Sequence, residues 1–145
     1  MSLNAKPRFV ITTGDPAGIG PEIILKGLHY LKTSKIHFTP IIIGNAKTYL
    51  SPAYQQSFKS LEILICSLNY APAIGEDRII LMEPEEDFGD IEPGKGSVRS
   101  GAAAGKYLDT ALEILGKKEA DILLTCPINK KHFMAAGYNF AGHTD

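Results

Sequence analysis

The residues most suited to chemistry lie in a glycine-rich segment near the start of the chain, residues 14–22 with the sequence GDPAGIGPE. An apolar run precedes the segment and an amphipathic one follows it, which predicts a strand, a tight turn and a helix. Gly18 and Gly20 allow positive φ or close approach of the backbone to a ligand. Asp15 offers a carboxylate to a ribose hydroxyl, an amine or a metal ion. A purely structural turn would also suit these residues.

This segment differs from two familiar phosphate-binding loops. Its glycines at positions 14, 18 and 20 do not fit the G-x-G-x-x-G fingerprint of dinucleotide-binding domains, and no Lys-Ser or Lys-Thr pair follows as in a P-loop. In an open α/β sheet, however, a turn after a strand lies at the edge where ligands bind. The turn is therefore a candidate wall of a binding site.

A second group of candidates lies in the last twenty residues. Lys130 follows the apolar run 121–126, and His143 and Thr144 stand side by side near the end. Lys130 could hold a phosphate or carboxylate as a point charge, and His143 could act as an acid, a base or a ligand near neutral pH. Each could equally be ordinary polar surface. If the sheet is parallel, Lys130 lies at the same edge as the 14–22 turn.

Composition narrows the class of protein. The 145 residues carry fifteen Lys and Arg against sixteen Asp and Glu, a net charge of −1, so a nucleic-acid partner is not expected. No run approaches the ~20 apolar residues that span a bilayer, and the start lacks the apolar core of a secretory signal. Cys66 and Cys126 are expected to be buried, reduced thiols of a cytoplasmic protein. No set of histidines or cysteines has metal-ligand spacing.

The elements that must position these residues alternate along the chain. Strands are predicted at residues 8–13, 36–44, 62–66, 78–82 and 121–126, and helices at 21–31, 46–50 and 100–118, with an acidic loop at 83–97. The run 121–126 is expected to be buried on both faces of the sheet. The buried face of the last helix is predicted to carry Ala104, Leu108, Ala111, Leu112 and Leu115. The pattern predicts one α/β unit with a mainly parallel sheet and flanking helices.

Three segments together resemble the 4-hydroxythreonine-4-phosphate dehydrogenase family of vitamin B6 synthesis. GDPAGIGPE is similar to its amino-terminal signature, PGKGSVRSGAAAGKYLDTAL to its central block, and CPINKKHFMAAGYNFAGHTD to its G-P-[VI]-x-K…G-H-T-[DE] block. The segments follow in the family's order over the whole chain. Cys126 departs from the pattern, because the family usually has glycine there.

The resemblance implies a fold like that of isocitrate and isopropylmalate dehydrogenases. It also implies a homodimer that uses NAD or NADP to oxidise and decarboxylate 4-phosphohydroxy-L-threonine to 3-amino-2-oxopropyl phosphate, for pyridoxal 5′-phosphate synthesis. By analogy His143, Thr144 and Lys130 bind substrate, while Gly14, Asp15, Gly18 and Gly20 border the cofactor. A divalent metal (Zn, Mg or Co) is implied, with its ligands expected beyond Asp145.

Since family members are more than twice as long, residues 1–145 are expected to be the amino-terminal part of a two-domain dehydrogenase and inactive alone. Two alternatives stay open. One is a related dehydrogenase for a phosphorylated sugar acid such as phospho-threonate or phospho-erythronate. The other is a non-catalytic module that binds a phosphorylated metabolite or nucleotide.

Overall fold

A five-stranded sheet forms the centre of the molecule, in a computed structural model that describes residues 6–69 and 77–139. The strands are β1 (Arg8–Thr12), β2 (Thr39–Ile43), β3 (Ile63–Ser67), β4 (Ile79–Glu83) and β5 (Ile122–Thr125). The helices are α1 (Gly20–Leu31), α2 (Ala46–Tyr49), α3 (Pro52–Ser57), α4 (Val98–Gly116) and α5 (Lys130–Ala135). Each predicted strand and helix is therefore present, with ends that shift by at most three residues.

The strands run in the order β3-β4-β2-β1-β5 and every pairing is parallel. β1 lies between β2 and β5, and Val10 pairs with Ile41 on one side and with Leu123 on the other. β2 contains Pro40, which has no N–H to donate. The β2–β4 ladder starts only at Ile41, so the central strand accommodates this proline at its beginning.

Alternating side chains of the strands form two cores, one on each face of the sheet. On one face α1 packs through Ile24, Leu25 and Leu28 against Ile42 and its neighbours. On the other face lies the core around α4, with these buried members: Val10, Ile41, Ile43, Ile80, Met82, Ala103, Tyr107, Ala111 and Ile114. The short helix α2 belongs to the α1 face, since Tyr49 lies in that core, and α5 packs against α4.

Two expectations about burial are wrong. β5 is an edge strand rather than one buried on both faces, and Ile122 and Leu124 are 41% and 44% exposed. The apolar run is continuous, but only one side of this strand has a partner within the part of the chain that the structure describes. On α4 the buried face includes Tyr107 and Ile114, whereas Leu112 is exposed. Of the predicted face, Ala104 and Ala111 are buried and Leu115 packs against the core, so the prediction is wrong at Leu112.

A pair of serines caps the beginning of α4. Ser97 caps α4 by accepting a hydrogen bond from the Ser100 N–H at 3.2 Å, and the Ser100 hydroxyl in turn accepts from the Ser97 N–H at 2.9 Å. This reciprocal pair fixes the exit of the long loop at residues 84–97. Asn45 precedes α2 as predicted, but its side chain does not cap that helix.

No helix within residues 6–69 and 77–139 is both long and apolar enough to cross a membrane.

Candidate functional site

The three sequence blocks meet around one cavity at the carboxyl ends of β1 and β5. Its volume is about 340 Å³. The lining residues are Asp15, Ala17, Gly18 and Ile19 from the first block, Gly94 and Gly96 from the second, and Pro127, Ile128 and Asn129 from the third. The first segment lies more than seventy residues before the other two, yet all three share one surface. We call this cavity the first crevice.

Topology explains why a crevice opens at this point of the sheet. The turn after β1 leads to α1 on one face, and the turn after β5 leads to α5, which packs on α4 at the opposite face. Neighbouring parallel strands whose connections leave in opposite directions form a switch point, and ligands of open α/β sheets bind there. The position of the first crevice is thus that of a binding site.

Two glycines of the 14–22 turn are required by close packing. Gly14 has a φ of +72°, and a Cβ there would lie 2.3 Å from the Pro127 carbonyl oxygen. A Cβ at Gly20 would lie 2.0 Å from the Thr13 carbonyl oxygen. Gly18 is less restricted, with its nearest contact at 3.3 Å. These glycines let the turn pack against the β5–α5 loop, so that the crevice has two adjoining walls.

Asp15 is buried, and both of its carboxylate oxygens have partners within the protein. Oδ1 accepts a hydrogen bond from the Ala17 N–H at 2.9 Å, and Oδ2 lies 3.2 Å from the Ser100 hydroxyl, whose single hydrogen has a second acceptor in the Ser97 carbonyl at 3.0 Å. Ser100 lies in the first turn of α4, where the helix dipole favours a negative charge. The carboxylate thus joins the turn to α4. Ser100 was not singled out from the sequence, although the spacing of Ser97 and Ser100 is a capping pattern.

The loop that precedes α4 closes the third side of the crevice. The Gly94 N–H donates to the Ala17 carbonyl at 2.7 Å, which ties this loop to the first turn. A Cβ on Gly96 would lie 2.9 Å from the His132 ring, so the loop also packs directly on α5. α1 and α4 both begin at this crevice. Their amino-terminal ends create a partly positive environment that favours an anionic group of a ligand.

The other predicted site residues differ in how far the structure describes them. Lys130 is exposed and directly follows the lining residue Asn129. His143 and Thr144 lie outside the described residues. Cys126 is buried beside the turn, and burial raises the pKa of its thiol to about 11, so the group is a protonated thiol rather than a nucleophile.

A metal centre was expected to lie beyond this chain. Within residues 6–69 and 77–139, no group of three His, Cys, Asp or Glu side chains is arranged to hold a metal ion. The first crevice offers one carboxylate, that of Asp15, and both of its oxygens already accept hydrogen bonds. The described residues therefore do not fit a metal ion, and the crevice is bordered by turn backbone, by the beginnings of two helices and by the Asp15 carboxylate.

Comparison with known proteins gives a consistent result. The family described as pyridoxal phosphate biosynthetic protein PdxA matches residues 36–145. A 4-hydroxythreonine-4-phosphate dehydrogenase of Sulfurihydrogenibium sp. is 36% identical over 139 residues, which are 95% of this chain and 41% of that protein. A Clostridium botulinum protein provisionally named D-threonate 4-phosphate dehydrogenase is 31% identical over 99% of this chain and 42% of its own.

Solved structures agree with the topology. A crystal structure named 4-hydroxythreonine-4-phosphate dehydrogenase from Burkholderia phymatum superposes with a TM-score of 0.73 at 28% identity, over 97% of this chain and 42% of that one. The predicted fold class, a parallel α/β sheet of the isocitrate and isopropylmalate dehydrogenase type, is confirmed. The chain spans about two fifths of the length of the curated relatives that it matches.

Proposed function

The chain belongs to the PdxA family of pyridoxal phosphate biosynthetic proteins, and from that membership we propose that its first crevice serves a nicotinamide-dependent dehydrogenase. The reaction is oxidation of 4-phosphohydroxy-L-threonine at its secondary alcohol, followed by loss of the carboxylate as CO₂ to give 3-amino-2-oxopropyl phosphate. The observation that carries the proposal is the meeting of all three family blocks at one switch point of the sheet.

Each wall of the crevice has a role in this proposal. The turn with Gly14, Gly18 and Gly20 is proposed to border the nicotinamide: Gly18 is its exposed glycine, where a flat ring can approach the backbone, and buried Gly14 and Gly20 shape that wall by close packing. Asp15 holds that wall in place through Ser100 and contributes no metal ligand. The amino-terminal ends of α1 and α4 favour the anionic groups of cofactor and substrate.

Lys130, His143 and Thr144 are proposed to hold the substrate. Lys130 stands beside the lining residue Asn129, where its charge can pair with a phosphate or carboxylate. We propose that His143 and Thr144 orient the polar head group, as the family resemblance implies. A bound nicotinamide would accept the hydride of the carbinol carbon, and the hydroxyl proton would pass to solvent. The residues named here position the substrate for that transfer.

Two further properties are part of the same proposal. Homodimer formation is supported by the family resemblance and can be checked by light scattering on the purified protein. A cytoplasmic location is supported by two cysteines that are free in the structure, since reducing compartments keep thiols unpaired.

A chimera tests the proposed function. Residues 1–145 would replace the matching 41% of the Sulfurihydrogenibium relative, so that the remainder of a dehydrogenase is present. The purified chimera is expected to reduce NAD or NADP with 4-phosphohydroxy-L-threonine in the presence of a divalent metal, followed by absorbance of the reduced nicotinamide. A folded chimera that binds the cofactor and gives no reduction would contradict the proposal and favour a binding module.

Variants of the chimera test the role of Lys130. Lys130→Ala is expected to raise KM for the phosphorylated substrate by about tenfold or more, because one charge-assisted contact is lost. Lys131→Ala is the matched control, since it removes an adjacent exposed lysine. An equal KM for the two variants would exclude Lys130 from the substrate site.

A second substrate belongs in the same assay. The Clostridium botulinum relative carries the name of a D-threonate 4-phosphate enzyme, and its similarity to this chain is close to that of the first relative. D-threonate 4-phosphate differs from 4-phosphohydroxy-L-threonine by a hydroxyl in place of an amine. The ratio of the two kcat/KM values decides between the two substrates.

A further inference from the structure

A cavity of about 370 Å³ opens at the edge of the sheet opposite to the first crevice. Its lining includes residues at the beginnings of four strands: Lys6 before β1, Phe38 before β2, Glu62 before β3 and Asp77 before β4. The carboxyl end of α1 forms a further wall. Because the strands are parallel, their beginnings meet at this one edge. We call this space the amino-edge cavity.

The amino-edge cavity is separate from the first crevice. No described residue lines both spaces. α1 begins beside the first crevice and ends at the amino-edge cavity, and its twelve residues correspond to about 18 Å of helix. A ligand in this cavity would therefore be remote from hydride transfer, and its binding does not depend on the proposed function.

The floor of the amino-edge cavity is apolar and belongs to the core on the α1 face. Ile79 is a buried member of that core, and Phe38 and Leu61 pack against it. The Phe38 ring is held by the ring of Phe9, with a centroid distance of 4.9 Å and an interplanar angle of 39°. At the side of the cavity, Ile36 is 62% exposed. Apolar surface exposed in a concave space favours burial of an apolar group of a ligand.

Two charged groups of opposite sign lie on one side of this floor. Lys32 Nζ donates a hydrogen bond to the Ser60 carbonyl at 2.6 Å, which positions the ammonium group and leaves two of its N–H groups for other acceptors. Glu62 follows Ser60 by two residues, and its backbone carbonyl accepts a hydrogen bond from the Ile79 N–H at 3.1 Å. The segment that carries the Glu62 carboxylate is thus held beside the lysine.

The charges of the lining exclude a ligand of strongly one-sided charge. Lys6 pairs with Asp77, and this is the one ion pair among the described lining residues. One ammonium group, that of Lys32, and one carboxylate, that of Glu62, are left for a ligand. The carboxyl end of α1 adds partial negative charge, which favours a cationic group close to it. Such a lining matches a small zwitterion with an apolar part.

We propose that the amino-edge cavity binds a free aromatic amino acid. The ring would lie on the apolar floor beside Phe38, in the offset or edge-to-face contact that aromatic pairs prefer. The carboxylate would accept hydrogen bonds from Lys32, and the ammonium group would pair with Glu62 near the end of α1. A volume of about 370 Å³ is within the range of small-molecule sites.

Binding of L-phenylalanine and three analogues tests the inference without catalysis. The ligands would be titrated into this chain, with backbone amide shifts followed by NMR. L-phenylalanine is expected to shift the amides of residues 31–38 and 60–62. 2-Phenylethylamine lacks the carboxylate, 3-phenylpropanoate lacks the ammonium group and L-alanine lacks the ring, so each should bind at least about tenfold more weakly. Absence of L-phenylalanine binding, equal affinity for any analogue, or shifts confined to residues 14–20 would overturn the proposal.

Two charge-removing variants assign the ends of the ligand. Lys32→Gln is expected to weaken L-phenylalanine about tenfold and to leave 2-phenylethylamine unchanged, because that amine has no carboxylate to lose a contact. Glu62→Gln should weaken L-phenylalanine and leave 3-phenylpropanoate unchanged. Lys35→Gln is the matched control, since Lys35 is an exposed lysine outside the lining. A parallel loss for L-phenylalanine and the analogues would indicate a distorted cavity and would contradict the assigned contacts.

Discussion

At the scale of single residues, Asp15 and the neighbouring glycines make close contacts within the protein: the glycines pack against backbone and the carboxylate accepts hydrogen bonds. The sequence pattern singled out this turn as a candidate, from its glycines and a carboxylate after an apolar run. It did not reveal that Asp15 is occupied by Ala17 and Ser100, since the second partner is 85 residues away. Local patterns carry no information on such a contact. A carboxylate that the sequence marks as a candidate ligand can therefore instead connect two elements of the fold.

Gly20 provides the sharpest test of close packing. Gly20→Ala is expected to lower the free energy of unfolding by about 3 kcal/mol, because the new methyl would lie 2.0 Å from the Thr13 carbonyl oxygen and backbone must move. Gly27→Ala, in the same helix with nothing within 4 Å, should instead raise it by about 0.5–1 kcal/mol. Urea unfolding of both variants gives the comparison. If Gly20→Ala did not lower the free energy of unfolding, the packing argument would be refuted.

Substitution of Ser100 tests the hydrogen bond between its hydroxyl and the Asp15 carboxylate. Ser100→Ala removes the donor to a buried carboxylate oxygen and half of the capping pair, so a loss of about 2 kcal/mol is expected. Ser97→Ala removes only the helix cap and should cost about 1 kcal/mol. Thermal unfolding at one pH separates the two values. A smaller effect at Ser100 than at Ser97 would mean that the bond to Asp15 contributes nothing.

At the scale of elements, β5 departs most from its prediction. Its apolar residues resemble those of a fully buried strand, yet it pairs with β1 alone among the described strands. A free strand edge with exposed Ile122 and Leu124 favours association with other chains. The sequence could not distinguish an edge from a centre, because that depends on the order of strands in space.

Leu124→Lys follows from this position of β5. The change should alter the free energy of unfolding by no more than about 0.5 kcal/mol, because the side chain is 44% exposed, and it should reduce self-association. Ile42→Ala, in a fully buried strand, should cost about 3 kcal/mol. Light scattering and urea unfolding measure the two properties. A large stability loss for Leu124→Lys would show that the edge is covered in solution.

Asp121 joins the beginnings of β1 and β5 and makes stability depend on pH. Its carboxylate accepts a hydrogen bond from the Arg8 N–H at 2.8 Å, and this bond, aided by the Arg8 guanidinium, lowers the pKa of Asp121 below its ordinary value of 3.8. A lowered folded-state pKa means that the stabilisation is present above pH 3.8 and is lost as pH falls through the folded value. Asp121→Asn should therefore flatten the acid side of the stability profile.

At the scale of the whole molecule, alternation of strands and helices was enough to predict the fold class but not the strand order. Period-two and period-3.6 patterns are local, so residues 8–13 and 100–118 were identified correctly to within a few positions. The 3-4-2-1-5 order depends on which helix packs on which face, and that order places the first crevice between β1 and β5.

The central place of β1 has a consequence for how this chain is made. β1 is synthesised before the other described strands, but the strand that covers its second edge, residues 122–125, comes more than a hundred residues later. Joining segments so distant in the chain is slow, because a long loop must close before any contact rewards it. A nascent chain on the ribosome therefore exposes one edge of β1 until residues 122–125 emerge and can pair with it.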